Sequence, residues 1–158
     1  MKYLTSIFAL LFGAFLLILP GCSATPFADN CAGTPSIAGY CTPLTYKDTT
    51  GNFAASPTTG DCQNTCIGVN TDAGDWAVDF SDVAEGGRKS LLLYPCGFAV
   101  ARGDGMPHSA TIKMTNQDIL DLYEGSIKRF GGAHGGKISA EGTMTCGSYN
   151  VKWYIQKL

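Results

Sequence analysis

The sequence predicts an α+β fold: an antiparallel sheet of four to six strands with one short and one long helix packed on one face, stapled by disulfides. Three observations carry this. Several segments alternate apolar and polar residues with period two, the mark of half-buried strands. One long segment instead repeats at helical spacing between a capping motif and a glycine pair. An even number of cysteines remains once the N-terminal segment is set aside.

That N-terminal segment is "MKYLTSIFALLFGAFLLILPGCSA". Lys2 supplies a positive start, an apolar run follows, and Cys22 and Ala24 suit the small-residue positions of a secretory cleavage site. A membrane anchor is the competing reading. The run is near the lower length limit for a span, and a cleavable end follows it. "LPGC" also invites a lipoprotein reading with Cys22 as the lipidated residue, though Pro20 fits that poorly. Each cleavage removes the same segment and leaves no spanning helix, so residues 1–24 read as a signal peptide and the protein as extracellular. The whole chain carries a formal net charge of −2, which favours neither nucleic acid nor an anionic membrane as partner.

Of the seven cysteines, Cys22 departs with the signal. Cys31, Cys41, Cys62, Cys66, Cys96 and Cys146 remain, and an even set in a secreted chain argues for three disulfides. The metal reading is weaker: no Cys-x-x-Cys pair is present, and His108 and His134 lack ligand spacing. Spacing alone leaves the pairing open.

Residues 25–60 form a Thr/Pro/Ser/Gly-rich lead. "CAGTPSIAG" and "FAASPTTG" read as loop, and "YCTPLTY" between them as a short edge strand. The lead cannot build a core alone, so its cysteines tie it to residues 61–158. There, Asp61 is expected to cap a short helix, "CQNTCIGV", whose Cys62, Cys66 and Val69 share one face. In "WAVDF", Trp76, Val78 and Phe80 point inward. "SLLLYPCGFAVAR" reads as one strand, or two broken at Pro95, and "ATIKM" as the next, with Ile112 and Met114 inward.

The long helix is "TNQDILDLYEGSIKRFGG". Thr115 and Asp118 form a capping box, and Ile119, Leu120, Tyr123, Ile127 and Phe130 form the apolar stripe. Lys128 and Arg129 suit the negative C-terminal end, and Gly131 is expected to be a left-handed C-cap. "KISAEGTMTC" and "VKWYIQ" alternate as two final strands, with "GSYN" as the hairpin turn between them.

Candidate chemistry is sparse. "RFGGAHGGKI" contains Gly-x4-Gly-Lys, most of a phosphate loop, but Ile138 replaces the magnesium-binding hydroxyl. Its glycines also follow a helix and precede a strand, the reverse of what that loop needs, so no nucleotide and no cofactor is expected. The Arg-Gly-Asp of residues 102–104 reads as a chance match in a polar turn. Glu85, Glu124, Glu141, Asp79, Asp118 and Asp121 include candidates for a glycosidase acid pair. Glu141 is the one retained, and a cross-strand salt bridge to Lys152, beside Tyr154, accounts for it. Tyr149 and Tyr154 are the aromatics expected to be exposed as a binding surface, whereas Trp76 and Trp153 read as core.

In order, "DCQNTC", "GDWAVDF", "YPCGFAV", "NQDILDLYEGSIKRFGGAHGGKISAEGTMTC" and "VKWYI" resemble the fungal secreted effector domain of the Hce2 type, homologues of the leaf-mould fungus's extracellular protein two. The resemblance runs over residues 61–156, with a looser match at "CTPLTYKD". It implies a secreted, disulfide-bonded, non-enzymatic domain, some of whose relatives are associated with plant cell death or virulence. It carries over no catalytic residue. The family's four core cysteines fit Cys41, Cys62, Cys96 and Cys146, which leaves Cys31 and Cys66 as an added pair. A reducing agent is then expected to loosen the lead before the core. The reading favoured is an effector that binds a host or competitor cell-surface target. A wall-polysaccharide binder or antimicrobial protein is the alternative, and a small glycosidase is less favoured.

Overall fold

The computed structural model describes residues 29–52, 55–72 and 74–158. The signal segment 1–24 lies outside them. The elements run β1 (Cys41–Asp48), α1 (Thr59–Thr71), β2 (Trp76–Asp79), β3 (Lys89–Leu92), β4 (Gly97–Arg102), β5 (Thr111–Met114), α2 (Asn116–Phe130), β6 (Ala140–Cys146) and β7 (Tyr149–Gln156). Five strands form one antiparallel sheet in the order β1-β6-β7-β4-β3. The α+β class is as the sequence predicts. Two strands leave the main sheet, however: β2 and β5 pair only with each other, matching Trp76 to Met114 and Val78 to Ile112.

Alternation in β6 and β7 builds the centre of the core. Val151, Trp153 and Ile155 are fully buried. Tyr46 of β1 meets the Trp153 ring edge-on, with centroids 5.0 Å apart. The hairpin turn is tighter than "GSYN" suggests. Gly147, at φ 59°, and Ser148 make it, while Tyr149 and Asn150 already belong to β7. Pro95 does separate two strands, β3 and β4.

Both helices begin with a capping box. In α2 it is Thr115 with Asp118, as expected. In α1 the cap is Thr58, and Asp61 sits three residues in as its reciprocal partner. Asp61 is therefore not the cap, and α1 runs 13 residues against 15 for α2. The box explains the extra turn, because Thr58 and Asp61 each satisfy a backbone N–H that would otherwise be orphaned. Gly131 is another correction. It keeps right-handed helical geometry (φ −63°), and the left-handed positions come later, at His134, Gly135 and Gly136. The chain leaves α2 through a short 3-10 turn, so the reversal that needs positive φ is delayed. The glycine run lies between α2 and β6, and so lacks the strand-then-helix context of a phosphate loop.

Part of the lead joins the sheet, where the edge strand read at "YCTPLTY" is β1. β1 is an edge strand hydrogen-bonded along the length of β6. Ile138 N–H donates to Pro57 O at 2.8 Å, and α1 already starts at Thr59. Three disulfides join Cys31 to Cys66, Cys41 to Cys146 and Cys62 to Cys96. The first ties the lead to α1, the second closes β1 on β6, and the third clamps α1 to the start of β4. Tyr123 crosses from α2 to the same point, its hydroxyl donating to Cys96 O at 2.7 Å while its ring packs on Phe98.

Candidate functional site

The strand register sets two rows of side chains on the sheet face away from Trp153. One row is Lys47, Glu141, Tyr154 and Ala99; the next is Thr45, Thr143, Lys152 and Ala101. Period two places these residues on one face because their neighbours occupy the other, although Ala99 and Ala101 of β4 are themselves buried. Glu141 pairs with Lys47 at 2.8 Å. It does not pair with Lys152, which reaches Asp104 at 3.0 Å. A middle strand has two neighbours, and Glu141 takes the lysine of β1 rather than that of its hairpin partner. The hydrogen bond from each lysine to its carboxylate, and then the charge attraction, push both ammonium groups above the usual lysine pKa.

Tyr154 is the aromatic of this face. The Arg88 guanidinium lies 3.6 Å from its ring centroid and also donates to Gln156 Oε1 at 3.1 Å. The sequence reading missed this arginine, since "EGGRK" reads only as a turn. Tyr149 does not join Tyr154. The two differ in parity along β7, so Tyr149 lies on the Val151 and Trp153 side, half-buried against the core. Placing it in the turn hid that parity. Trp76 is half-buried rather than core, because its indole N–H reaches Asn116 Oδ1 at 2.7 Å.

At the end of β4 the outer face runs into a cleft of about 540 Å³ lined by Glu85, Arg102, Asp104, Met106, His108 and Lys152, among others. The Arg-Gly-Asp tripeptide lies here, running from the last residue of β4 into the turn at Asp104 and Gly105. Arg102 closes β4 and donates to Val83 O at 3.3 Å, while Asp104, 97% exposed, is engaged by Lys152. His108 lines this cleft, whereas His134 bonds Asp48 at 2.9 Å elsewhere. The other candidate acids have structural partners. Asp118 accepts the Thr115 N–H within the α2 capping box, Asp121 accepts from Gln117, Glu124 pairs with Lys128, and Asp79 accepts from the Ser81 N–H. Among the described residues, no group of three or more His, Cys, Asp or Glu side chains is placed to hold a metal ion.

The sequence reading also missed an apolar knob on the β3–β4 turn, where Leu93 is 78% exposed and Tyr94 lies over Gly68 of α1. The unbroken "LLLY" before Pro95 was its signal.

Residues 40–146 match the Hce2 family, described as "Pathogen effector; putative necrosis-inducing factor". No curated protein matches the chain significantly. The matched span starts just before β1 and ends at Cys146, so it takes in both helices, six of the seven strands and two complete disulfides. It takes in the looser resemblance at "CTPLTYKD", which is β1, and ends before the "VKWYI" block of β7. Cys31 lies before it, so the Cys31–Cys66 bridge ties a preceding segment to the family core. With the match covering about two-thirds of its length, the chain belongs to the Hce2 family of pathogen effectors.

Proposed function

We propose that this protein works outside the cell as a folded, non-enzymatic effector that binds a target on a host or competitor cell through the outer face of its sheet. The observation that carries the reading is the family match, which takes in both helices and six of the seven strands and ends before β7. Three disulfides suit an oxidising compartment. The charged groups of the face are joined as ion pairs, Lys47 with Glu141 and Lys152 with Asp104, rather than as a nucleophile beside a base. Tyr154 with Arg88 provides a rigid aromatic and cationic anchor of the kind that dominates protein recognition.

Electrolyte leakage from leaf discs tests it, using protein harvested from the medium after expression of the full chain. Leakage from the oxidised protein, lost after reduction and alkylation and reduced by Tyr154→Ala, is the expected result. No leakage from either sample rejects direct toxicity to the plant tested. Wall polysaccharide is the second reading, motivated by the partly exposed Tyr154 ring on this face. Retention on chitin or glucan, lost in Tyr154→Ala, would favour it over a cell-surface protein target.

A further inference from the structure

The three disulfides differ in what surrounds them. Cys31, Cys66, Cys62 and Cys96 are all 0% exposed, so two bridges lie wholly inside the core. The third does not. Cys41 is partly exposed at the first position of the edge strand β1. Its partner Cys146, 3% exposed, lines an open cleft of about 280 Å³ with Tyr40, Thr111, Lys113, Ser148 and Tyr149. The two cysteines face each other across the first rung of the β1–β6 ladder, with Cα atoms 4.2 Å apart, next to the Gly147–Ser148 turn. Cys41 Sγ lies 3.5 Å from the backbone oxygen of Lys113, whose side chain is exposed at the rim.

We propose that this cleft is a thiol-exchange site at which the Cys41–Cys146 bridge reacts with an external small thiol or dithiol. Exchange requires a thiolate to reach one sulfur, and its rate follows access and thiolate concentration. The incoming thiolate attacks Cys41 Sγ, since Cys41 is the partly exposed residue of the pair and Cys146 is 3% exposed. A new S–S bond forms between the thiol and Cys41, and the Cys41–Cys146 bond breaks with its electron pair on Cys146. The Cys146 thiolate then takes a proton from water. With a dithiol, the second thiolate attacks the mixed disulfide, so the dithiol leaves oxidised and both cysteines are reduced. Lys113 draws anionic thiolates to the rim.

The product stays folded. The rest of the β1–β6 ladder remains, and the Asp118 carboxylate still accepts the N–H groups of Tyr40 and Cys41. On this proposal the Cys41–Cys146 bridge opens before Cys31–Cys66, because both residues of the latter pair are 0% exposed while Cys41 is partly exposed.

The test treats the native protein, expressed from the full chain, with graded reduced glutathione, quenches by alkylation and maps the peptides. Alkylation of Cys146, with Cys41 alkylated or carrying glutathione, is expected at least about tenfold faster than modification of the other four cysteines. Earlier labelling of Cys31 and Cys66 or of Cys62 and Cys96, or labelling of all six together, overturns the proposal. A second arm compares glutathione, an anionic thiol, with cysteamine, a cationic one. Lys113→Glu should lower the ratio of their exchange rates several-fold while the other four cysteines stay protected. An unchanged ratio means the thiol does not enter by this cleft.

Discussion

The Asp118 carboxylate accepts the backbone N–H of Cys41 at 3.0 Å, joining residues 77 apart in sequence. Its other oxygen accepts the N–H groups of Tyr40, at 3.0 Å, and Thr115, at 2.7 Å. One buried side chain therefore closes the capping box of α2 and anchors the start of β1. Asp118→Asn replaces an acceptor with an amide donor against the same N–H groups. The expected loss is about 2–4 kcal/mol, since hydrogen bonds to a charged acceptor are lost and a buried donor is left unpaired. Urea unfolding measures it, and a loss below the size of an ordinary surface substitution would refute the anchoring role.

Gly142 sits where three strands crowd. A Cβ there would lie 2.0 Å from Thr45 O and 2.5 Å from the Trp153 ring. Neither can yield, because one is ladder backbone and the other is the largest fully buried side chain. Gly142→Ala should cost about 3 kcal/mol or more through overpacking. Gly132→Ala, where the added methyl meets nothing within 4 Å, serves as the control and should stay within about 0.5 kcal/mol. Parallel thermal melts decide between them.

Asp48 couples acid to stability. Burial acts to raise its pKa, but hydrogen bonds from the Thr50 hydroxyl and N–H, and then the contact with His134, together outweigh it and hold the carboxyl below its ordinary value. A carboxyl whose folded pKa is depressed adds stability that is fully present above the unfolded value of about 3.9 and is lost as pH falls through the folded value. Wild-type denaturation midpoints should therefore fall more steeply than those of Asp48→Asn below about pH 4. Parallel curves for the two proteins would remove Asp48 from the acid response.

Removing the bridges in pairs should rank them by loop length. Cys41–Cys146 closes a separation of 105 residues, against 35 for Cys31–Cys66 and 34 for Cys62–Cys96. Chain-entropy reasoning assigns about 4.7 kcal/mol to the first and about 3.8 kcal/mol to each of the others. Double serine variants, compared by chemical denaturation, should show the largest loss for the Cys41 and Cys146 pair. An equal loss for all three would mean that native packing, not the denatured chain, sets the effect.

Much of this architecture was legible because it is local. The alternation of Val151, Trp153 and Ile155 needs only the pleat of one strand, and the Thr115–Asp118 box only four consecutive residues. The separation of β3 from β4 at Pro95 is local as well. Tyr149 was within reach of the same reasoning. Had the turn been read as Gly147–Ser148, parity alone would have put Tyr149 and Tyr154 on opposite faces.

Spacing along one stretch of chain was enough for the α+β class, the inward face of most strands, the α2 capping box and the even cysteine set. Only the tertiary structure decided which strand lies beside which. That placed Lys47 rather than Lys152 against Glu141, Arg88 over Tyr154, and β2 with β5 outside the main sheet. It also left Cys146 lining an open cleft and its partner Cys41 partly exposed while the other bridges were buried. The physical reason is common to all of these: a partner across the sheet is chosen by packing between segments tens of residues apart, and no spacing within either segment records that choice.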